Sequence, residues 1–305
     1  MTAYLLGRLG QSVLAVGCVL ILVFFMVRLT GDPAVLMVSR DATAAEVDAF
    51  RTAMGFDRPW AVQFAEFLGR AVRGDFGRSL QYQSSAWGLI VERLPATLEL
   101  AVAGLLFAVL VGVPLGILAA TRPNSVWDAL AQGVSLLAQA LPAYWVGLVL
   151  IIVLSVKLGL LPVAGRSGFA SLVMPMVTLG LGVLGRLTQL TRAVMLDVLH
   201  QDYVRTAHSK GLGPGAVHYR HALGNAAIPL VTLIGVNFGY MLGGAVLIES
   251  VFSWPGVGRL AAQAIFQRDF PLVQAVGFFA SLVVVTVNLA TDLAYGLLNP
   301  AVRRQ

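Results

Sequence analysis

The sequence predicts an all-α integral membrane protein with six transmembrane helices and an external helical insertion between helices 1 and 2. Of the 305 residues, 58% are hydrophobic and only 12% are charged, which is about half the charged fraction of a soluble domain. Six stretches of 18 residues or more contain no Asp, Glu, Lys or Arg, close to the ~20 residues that a helix needs to cross a bilayer. Their continuous apolar character differs from the ~10-residue alternating segments of a membrane β-barrel. This composition excludes a water-soluble enzyme, a disordered chain and a collagen-like chain.

The predicted spans are Gly10–Val27, Leu100–Thr121, Ala129–Val156, Ser167–Gly185, Ala222–Ile248 and Phe270–Thr291. The first could be a cleaved signal peptide, because Arg8 precedes it. Its apolar run is longer than the usual ~7–15 residues and no small-x-small cleavage motif follows, so we expect a retained helix. Pro114, Pro142, Pro175 and Pro229 fall inside later spans and are expected to kink them.

Residues 31–94 are expected to form a helical segment. Thr43 and Glu46 have the spacing of a capping box, and Gly55 can end that first helix in the left-handed conformation. A second helix is expected near Pro59. It would carry an apolar stripe that consists of Trp60, Phe64, Phe67 and Ala71. Such a stripe favours packing on the protein itself, and a helix in the outer lipid interface is the alternative.

Lysines and arginines predict the orientation in the membrane. Nine lie on the side of the two termini and four lie in short loops on the other side. The nine are Arg8, Arg122, Arg186, Arg192, Arg205, Lys210, Arg220, Arg303 and Arg304, and the four are Lys157, Arg166, Arg259 and Arg268. Because cytoplasmic loops carry the excess of basic residues, both termini are expected in the cytoplasm and residues 31–94 outside.

The sequence contains no motif for chemistry of its own. Its one Lys-Gly pair, Lys210-Gly211, is not part of a phosphate-binding loop, so ATP hydrolysis cannot be assigned to the chain. Cys18 is the only cysteine, and the pair His218 and His221 lacks further local ligands for a metal. We therefore expect no catalytic residue, no cofactor and no metal site. The net charge of +6 is spread between apolar runs, which argues against a nucleic-acid partner.

Few residues inside the apolar runs are polar enough to suggest function. Asp292 is the main intramembrane acid, and a single acid does not make a proton relay. Gly235, Gly239 and Gly243 recur every four residues in the fifth predicted span. Such a stripe allows close approach of helices, either within the chain or against a second membrane subunit.

The loop at about 194–224 is the most polar predicted cytoplasmic stretch. A short helix is expected over Tyr203–Lys210, and Gly211 can end it in the left-handed conformation. Gly213-Pro214-Gly215 then turns the chain back towards the membrane. The alternative is a plain connector between two spans.

This loop resembles the cytoplasmic signature of binding-protein-dependent ABC importer permeases of the type I fold. In that signature, Glu-Ala-Ala, three residues, Gly and nine residues precede Ile-x-Leu-Pro. Here Arg205-Thr206-Ala207 replaces the first element, Gly211 follows, and Ile228 directly precedes Pro229. The dipeptide, oligopeptide and nickel branch typically has Tyr-x-Arg-Thr-Ala-x-x-Lys-Gly-Leu, which Tyr203–Leu212 matches. Further motifs of its first permease subunit are Gly31–Pro33, Gly74–Gly77, Leu94–Leu100, Glu249–Gly258 and Asn299-Pro300.

The resemblance implies a domain layout and a set of partners. Residues 1–30 would be the N-terminal transmembrane helix, 31–94 the external segment, 95–298 the type I transmembrane domain and 299–305 a cytoplasmic tail. A second homologous permease, two cytoplasmic ATPase subunits that bind ATP and Mg, and an external substrate-binding protein would complete the importer in the lipid bilayer. The residues implied in coupling to the ATPase are Tyr203, Arg205, Thr206, Ala207, Lys210, Gly211 and Leu212.

The resemblance also implies a function. The chain would be the transport subunit of an ATP-driven importer of dipeptides or oligopeptides, without an ATPase site of its own. Nickel and glutathione are the alternative cargoes within the family. A secondary transporter is the alternative from a different class.

Overall fold

A computed structural model describes residues 2–29, 32, 34–35, 38 and 42–298. They are mainly helical, which confirms the all-α class, and an isolated bridge between Arg78 and Ser85 is the only extended pairing that they contain. Two π-helical stretches occur: Ile151–Lys157 continues α6, and Ala216–Ala222 leads into α9. The α-helices are α1 Thr2–Leu29, α2 Ala44–Ala53, α3 Trp60–Ala71, α4 Ala86–Thr121, α5 Val126–Ala140, α6 Ala143–Leu150, α7 Phe169–Leu199, α8 Asp202–Ser209, α9 Leu223–Gly244, α10 Val246–Val251, α11 Val257–Phe266 and α12 Phe270–Leu298.

The chain forms two compact units. The first comprises Met1–Pro95 and Gly256–Thr286, and the second comprises Ala96–Pro255 and Val287–Gln305. The two long helices α4 and α12 each contribute residues to both units. The segment 31–94, expected to be a helical insertion, falls within the first unit, and the loop at 194–224 falls within the second.

Four stretches in the described part of the chain are helical, long and apolar enough to cross a bilayer. They are Ala86–Thr121, Phe169–Leu199, Ala216–Gly243 and Phe270–Val287. The bent pair of α5 with α6 and its π-helical continuation makes a fifth candidate when counted as one span. In α1 the apolar part is limited to Gly10–Met26, which is short of ~20 residues. The predicted number of six spans is therefore not confirmed.

The third predicted span, Ala129–Val156, is not one continuous helix. α5 ends at Ala140, α6 begins at Ala143, and the two are bent by 101°. Pro142 lies at this break; it has no N–H to donate and disfavours the helical conformation for the residue before it. Leu141 accordingly has a ψ of 130°, in the extended region. The proline that was expected to kink the span divides it instead.

The fourth predicted span, Ser167–Gly185, ends too early. α7 continues to Leu199, so Arg186 and Arg192 lie inside a helix, and assigning them to a loop was wrong. Both side chains have polar partners on other helices, at Asn237 and Asp128. A charged residue does not need to end a membrane helix when its side chain has hydrogen-bond partners on other helices.

The first helix of the insertion begins as predicted. The Thr43 backbone N–H donates to Glu46 Oε2 at 2.7 Å, and the Glu46 backbone N–H donates to Thr43 Oγ1 at 3.4 Å, which confirms the capping box. The hydrogen bonds from the Thr43 backbone and side chain lower the pKa of Glu46, because they stabilise the carboxylate. Gly55 follows α2 with a φ of 70°, the left-handed conformation expected there.

The second helix of the insertion packs on protein. α3 begins after Pro59, as expected, and Phe67 is buried while Trp60 is 57% exposed. The first member of the apolar stripe is thus the most exposed, although its ring lies 5.8 Å from that of Phe25 of α1, between centroids. The Phe24 ring of α1 lies 5.1 Å from that of Phe64 and 5.6 Å from that of Phe67, between centroids. These aromatic contacts support packing within the first unit over a helix in the lipid interface.

In the second unit, glycines allow α4 and α7 to approach closely. A Cβ on Gly112 would lie 2.9 Å from the Leu184 carbonyl oxygen, and one on Gly116 would lie 2.5 Å from Thr191 Cβ. Thr188 Oγ1 also donates to the Gly112 carbonyl oxygen at 3.1 Å. These small residues therefore serve packing inside the chain, as small-xxx-small patterns do in membrane proteins.

We predict that Gly180→Ala destabilises the protein by about 1–3 kcal/mol, the usual cost of overpacking, because the new Cβ would collide with the Gly104 carbonyl oxygen. Gly182→Ala, two residues away, is the matched control. Its Cβ would meet only the Ala138 carbonyl oxygen at 4.0 Å, and alanine has the better helix propensity. Thermal unfolding in detergent should show a lower midpoint for the first variant only. Equal midpoints would refute the close contact.

Candidate functional site

The predicted cytoplasmic helix is present as α8. It spans Asp202–Ser209, one residue earlier at each end than the predicted Tyr203–Lys210. The Lys210 backbone N–H donates to the Thr206 carbonyl oxygen at 3.1 Å, and the Leu212 N–H donates to the Ala207 carbonyl oxygen at 3.4 Å. Through these hydrogen bonds, carbonyl groups at the end of the helix gain the donors that they would otherwise lack.

Gly211 ends α8 in the left-handed conformation, as predicted. Its φ is 77°, and a Cβ built on it would meet no heavy atom within 4 Å. The requirement for glycine is therefore conformational and not one of space, because a β-branched residue in this region of φ costs about 1–2 kcal/mol. Gly215, four residues later, has an ordinary helical conformation with φ −61° and ψ −44°.

One face of α8 is anchored to the second unit. Val204 is 2% exposed and Ala207 is 7% exposed, and both belong to a small apolar cluster with Val217 of the second π-helical stretch. Val198 and Leu199, at the end of α7, pack against the same cluster. α8 is thus fixed to the helices on both sides of it, unlike a loose connector.

The opposite face of α8 and its turn is exposed. Of the seven residues implied in coupling, Ala207 is buried and serves as an anchor. The exposed residues of the set are Tyr203, Arg205, Thr206, Lys210, Gly211 and Leu212. Arg205 lies 3.9 Å from Asp202 in a fully surface-exposed ion pair, which holds neither residue strongly. A partner protein can therefore contact this face without first breaking internal contacts.

A buried ion pair fixes the helices near α8. Arg192 of α7 donates to Asp128 of α5 through Nε at 2.6 Å and through Nη2 at 2.8 Å. The Asp128 side chain is 4% exposed and also accepts from the Asn124 backbone N–H at 3.0 Å and from Gln132 Nε2 at 3.1 Å. Arg192 lies seven residues before Leu199, where α7 ends. The pair therefore ties α5 to the part of α7 that leads into α8.

Sequence reasoning missed this pair. Asp128 was not singled out, and Arg192 was counted as a loop residue. One signal was available: Asp128 follows Ser125, the N-cap of α5, at the start of an apolar run. A carboxylate at that position requires either water or a counter-ion.

Two of the sequence motifs contact each other in the second unit. Trp254 Nε1 donates to the Ala96 carbonyl oxygen at 2.8 Å, and Thr97 Oγ1 donates to Glu249 Oε1 at 2.8 Å. Trp254 and Glu249 are both fully buried. Glu99 accepts from Arg166 Nε at 2.7 Å. The residues that carry the resemblance at 94–100 and 249–258 thus hold one another in place.

The three glycines proposed as a packing or permease interface differ from one another. A Cβ on Gly239 would lie 2.6 Å from Val287 Cγ1, so this glycine serves packing between α9 and α12. Gly243 is exposed with open space around it, and Gly235 is half-buried. Asp292 lies in α12, and its side chain is outside the described residues, as are Gly31, Pro33 and Asn299-Pro300. Among the described residues, no three His, Cys, Asp or Glu side chains group together as a metal site would require.

Solved structures share the all-helical fold of a large part of this chain. An inward-facing crystal form of the MetNI methionine ABC transporter aligns with 69% of this chain and 96% of its own, with a TM-score of 0.55 and 17% identity. An amino acid ABC transporter with histidines aligns with 68% of this chain and 92% of its own, with a TM-score of 0.53 and 16% identity. At these identities the likeness is one of fold.

The family follows from sequence. Residues 112–304 match the family described as "Binding-protein-dependent transport system inner membrane component", and residues 1–101 match its N-terminal companion. The chain belongs to this family, which confirms the resemblance. The glutathione transport system permease protein GsiC of Escherichia coli (strain K12) is 38% identical over 304 residues, 99% of each chain, and its counterpart in Shigella flexneri serotype 5b is equally similar. The protein is therefore a permease subunit of an ABC importer and not an enzyme.

We predict that Arg192→Gln destabilises the protein by about 3–5 kcal/mol, because it leaves the Asp128 carboxylate buried without its counter-ion. The double variant Asp128→Asn/Arg192→Gln should be more stable than this single variant, since no charge is left unpaired. Arg122→Gln, at an exposed arginine with no ion pair in the described structure, is the control. Thermal unfolding in detergent is measured for these three variants and for Asp128→Asn alone. A double variant that loses the sum of the two single effects would show that the pair is not coupled.

Proposed function

We propose that this permease imports short peptides, glutathione among them, and that α8 couples its movement to ATP hydrolysis by cytoplasmic partner subunits. The observation that carries the proposal is the Tyr203–Leu212 segment. It is an ordered helix with one face anchored and the other exposed in a chain of this permease family. The glutathione permeases that are 38% identical over nearly the whole chain support the cargo class. Family membership favours an ATP-driven importer over a secondary transporter.

The mechanism follows from the contacts that attach α8 to its neighbouring helices. A partner ATPase that closes on bound ATP would press on the exposed face at Tyr203 and Arg205. Val204 and Ala207 pack against the end of α7 and against Val217, in the π-helical stretch that leads into α9. α8 therefore cannot move independently of those helices. Asp128 and Arg192 pass the displacement on to α5. The bundle would thereby alternate between inward-facing and outward-facing states.

The partners in this proposal are four further subunits. A second homologous permease completes the translocation path, and two cytoplasmic ATPases bind the ATP and Mg. An external binding protein delivers the peptide. This chain contributes the path and the coupling surface, and it holds no cofactor.

The proposed orientation places both termini and α8 in the cytoplasm. With Arg186 and Arg192 reassigned to α7, the count of nine basic residues on the terminal side becomes seven, against four on the other. Basic residues are still more numerous on the side of the termini, so the positive-inside rule gives the same orientation. The insertion that contains α2 and α3 would then face outwards, towards the binding protein.

We expect Gly211→Val to lower peptide uptake by about tenfold or more, because valine cannot end α8 in the left-handed conformation and the exposed face is re-aimed. Gly215→Val is the matched control in the same loop, since its backbone is helical and its surroundings are open. The assay is uptake of labelled glutathione and of a labelled dipeptide by proteoliposomes that contain the complete importer and internal ATP.

Membrane levels of both variants should be normal, and the ATPase should be retained less well by Gly211→Val. Wild-type uptake with Gly211→Val would show that α8 is not the coupling element. A wild-type importer that accumulates neither peptide would refute the proposed cargo class.

The orientation is tested with single cysteines in a Cys18→Ser background. A membrane-impermeant maleimide added to intact cells should label Asp48→Cys in α2, and it should label Ser209→Cys in α8 only after the cells are opened. Both positions are exposed, so lack of labelling would not reflect burial within the chain. Labelling of Ser209→Cys but not of Asp48→Cys in intact cells would reverse the topology.

A further inference from the structure

Arg186 carries a positive charge inside α7, a helix long enough to cross the membrane. It lies 17 residues after Phe169 and 13 before Leu199, the two ends of α7. At 1.5 Å per residue these distances are about 25 Å and about 20 Å. The hydrocarbon core of a bilayer is about 30 Å thick, so Arg186 lies inside it for any placement of α7 that covers the core. Its side chain is nevertheless exposed on the surface of this chain.

Asn237 holds the guanidinium group in this position. Arg186 Nη2 donates to Asn237 Oδ1 at 2.7 Å. The Asn237 side chain is buried, and its Nδ2 donates to the Leu233 carbonyl oxygen at 2.7 Å. Asn237 lies 14 residues after Leu223 and seven before Gly244, the ends of α9. The arginine therefore points towards the interior of a second span and not towards the nearest membrane surface.

No carboxylate neutralises Arg186 within the part of the chain that the structure describes. Arg192, six residues further along α7, is by contrast fully paired with Asp128. The neutral amide of Asn237 accepts a hydrogen bond from only one of the five N–H groups of the guanidinium. Placing an unneutralised arginine against lipid would cost at least about 2.5–3.5 kcal/mol. The exposed part of Arg186 must therefore face water or another protein surface.

Further polar side chains accompany Arg186 on both helices. Gln189 is exposed one turn later on α7, and Tyr240, 73% exposed, lies one turn after Asn237 on α9. Residues three apart share a helix face. The exposed side chains of Arg186, Gln189 and Tyr240, with Asn237 buried behind the arginine, thus form a polar strip on the surface of these two helices. Such a strip is typical of a wall that lines an aqueous path.

We propose that Arg186, positioned by Asn237, lines the translocation path and binds a carboxylate of the peptide as it passes. This inference rests on the proposed function and names the group of the substrate that the path recognises. A guanidinium binds carboxylates through two parallel N–H···O bonds. Every free peptide has a C-terminal carboxylate, and glutathione has two carboxylates. A single such contact selects a cargo that has a free carboxylate and still allows its release.

The first test is Arg186→Gln in the complete importer, assayed for uptake of labelled glutathione at saturating binding protein. The maximal rate should fall by about tenfold to a hundredfold, while the affinity of the binding protein for glutathione and the subunit composition are unchanged. Arg186→Lys, which keeps the charge but loses the planar fork, should retain an intermediate rate. Arg122→Gln, at an exposed arginine of the second unit with no ion pair in the described structure, should transport as the wild type does. A wild-type rate with Arg186→Gln would overturn the inference, and so would loss of the second permease on purification, which would make Arg186 a contact between subunits.

The second test does not depend on which peptide the importer carries. In a Cys18→Ser background, Arg186→Cys should react rapidly with a charged, water-soluble methanethiosulfonate reagent, because the residue faces an aqueous path. Leu110→Cys, at a 71% exposed residue in the middle of α4, should react slowly. Equal, slow reaction at both positions would overturn the inference. A reactive position 186 in an importer that takes up neither glutathione nor dipeptides would leave the path in place and refute only the proposed cargo.

Discussion

The ion pair between Asp128 and Arg192 is the interaction on which the proposed site depends. Its bonds of 2.6 and 2.8 Å join the start of α5 to the last third of α7. The carboxylate is nearly inaccessible and has two further donors, so the pair meets the condition under which a buried charge is tolerated. The apolar cluster that anchors α8 begins only a few residues beyond it, at Val198. Without a fixed end of α7, the exposed face of α8 would have no defined orientation for a partner to recognise.

The same constraint explains why the short motifs identify the family so well. A membrane span offers little water to a polar group, so each buried donor or acceptor needs a partner within the protein. Thr97 bonds to Glu249, and the Trp254 indole bonds to the Ala96 carbonyl. The residue types in these motifs are therefore those that satisfy one another in the folded bundle.

Local features of the fold could be predicted from the sequence, and contacts between distant residues could not. The capping box at Thr43, the left-handed Gly211 and the short helix before it depend on neighbours within a few residues, and all three were correct. The extension of α7 past Gly185 depends on Asn237 and Asp128, which lie 51 and 64 positions from their arginine partners. Charge alone indicated a loop there. Pro142 was recognised as a point of weakness, but the size of the bend there, 101°, could not be predicted from the proline alone. The burial of Ala207 likewise required knowledge of Val217.

The proposed function requires that the exposed face of α8 contacts a cytoplasmic ATPase. Cross-linking in the assembled importer tests it most directly, with a cysteine in place of Arg205, whose side chain is 83% exposed. A buried position in the same loop, Val217→Cys, provides the control. In a Cys18→Ser background, a short maleimide that carries a photoreactive group should, on illumination, join Arg205→Cys to the ATPase and leave Val217→Cys unlinked. If the ATPase co-purifies in full amount and Arg205→Cys never cross-links to it, with or without ATP, α8 is not the coupling surface.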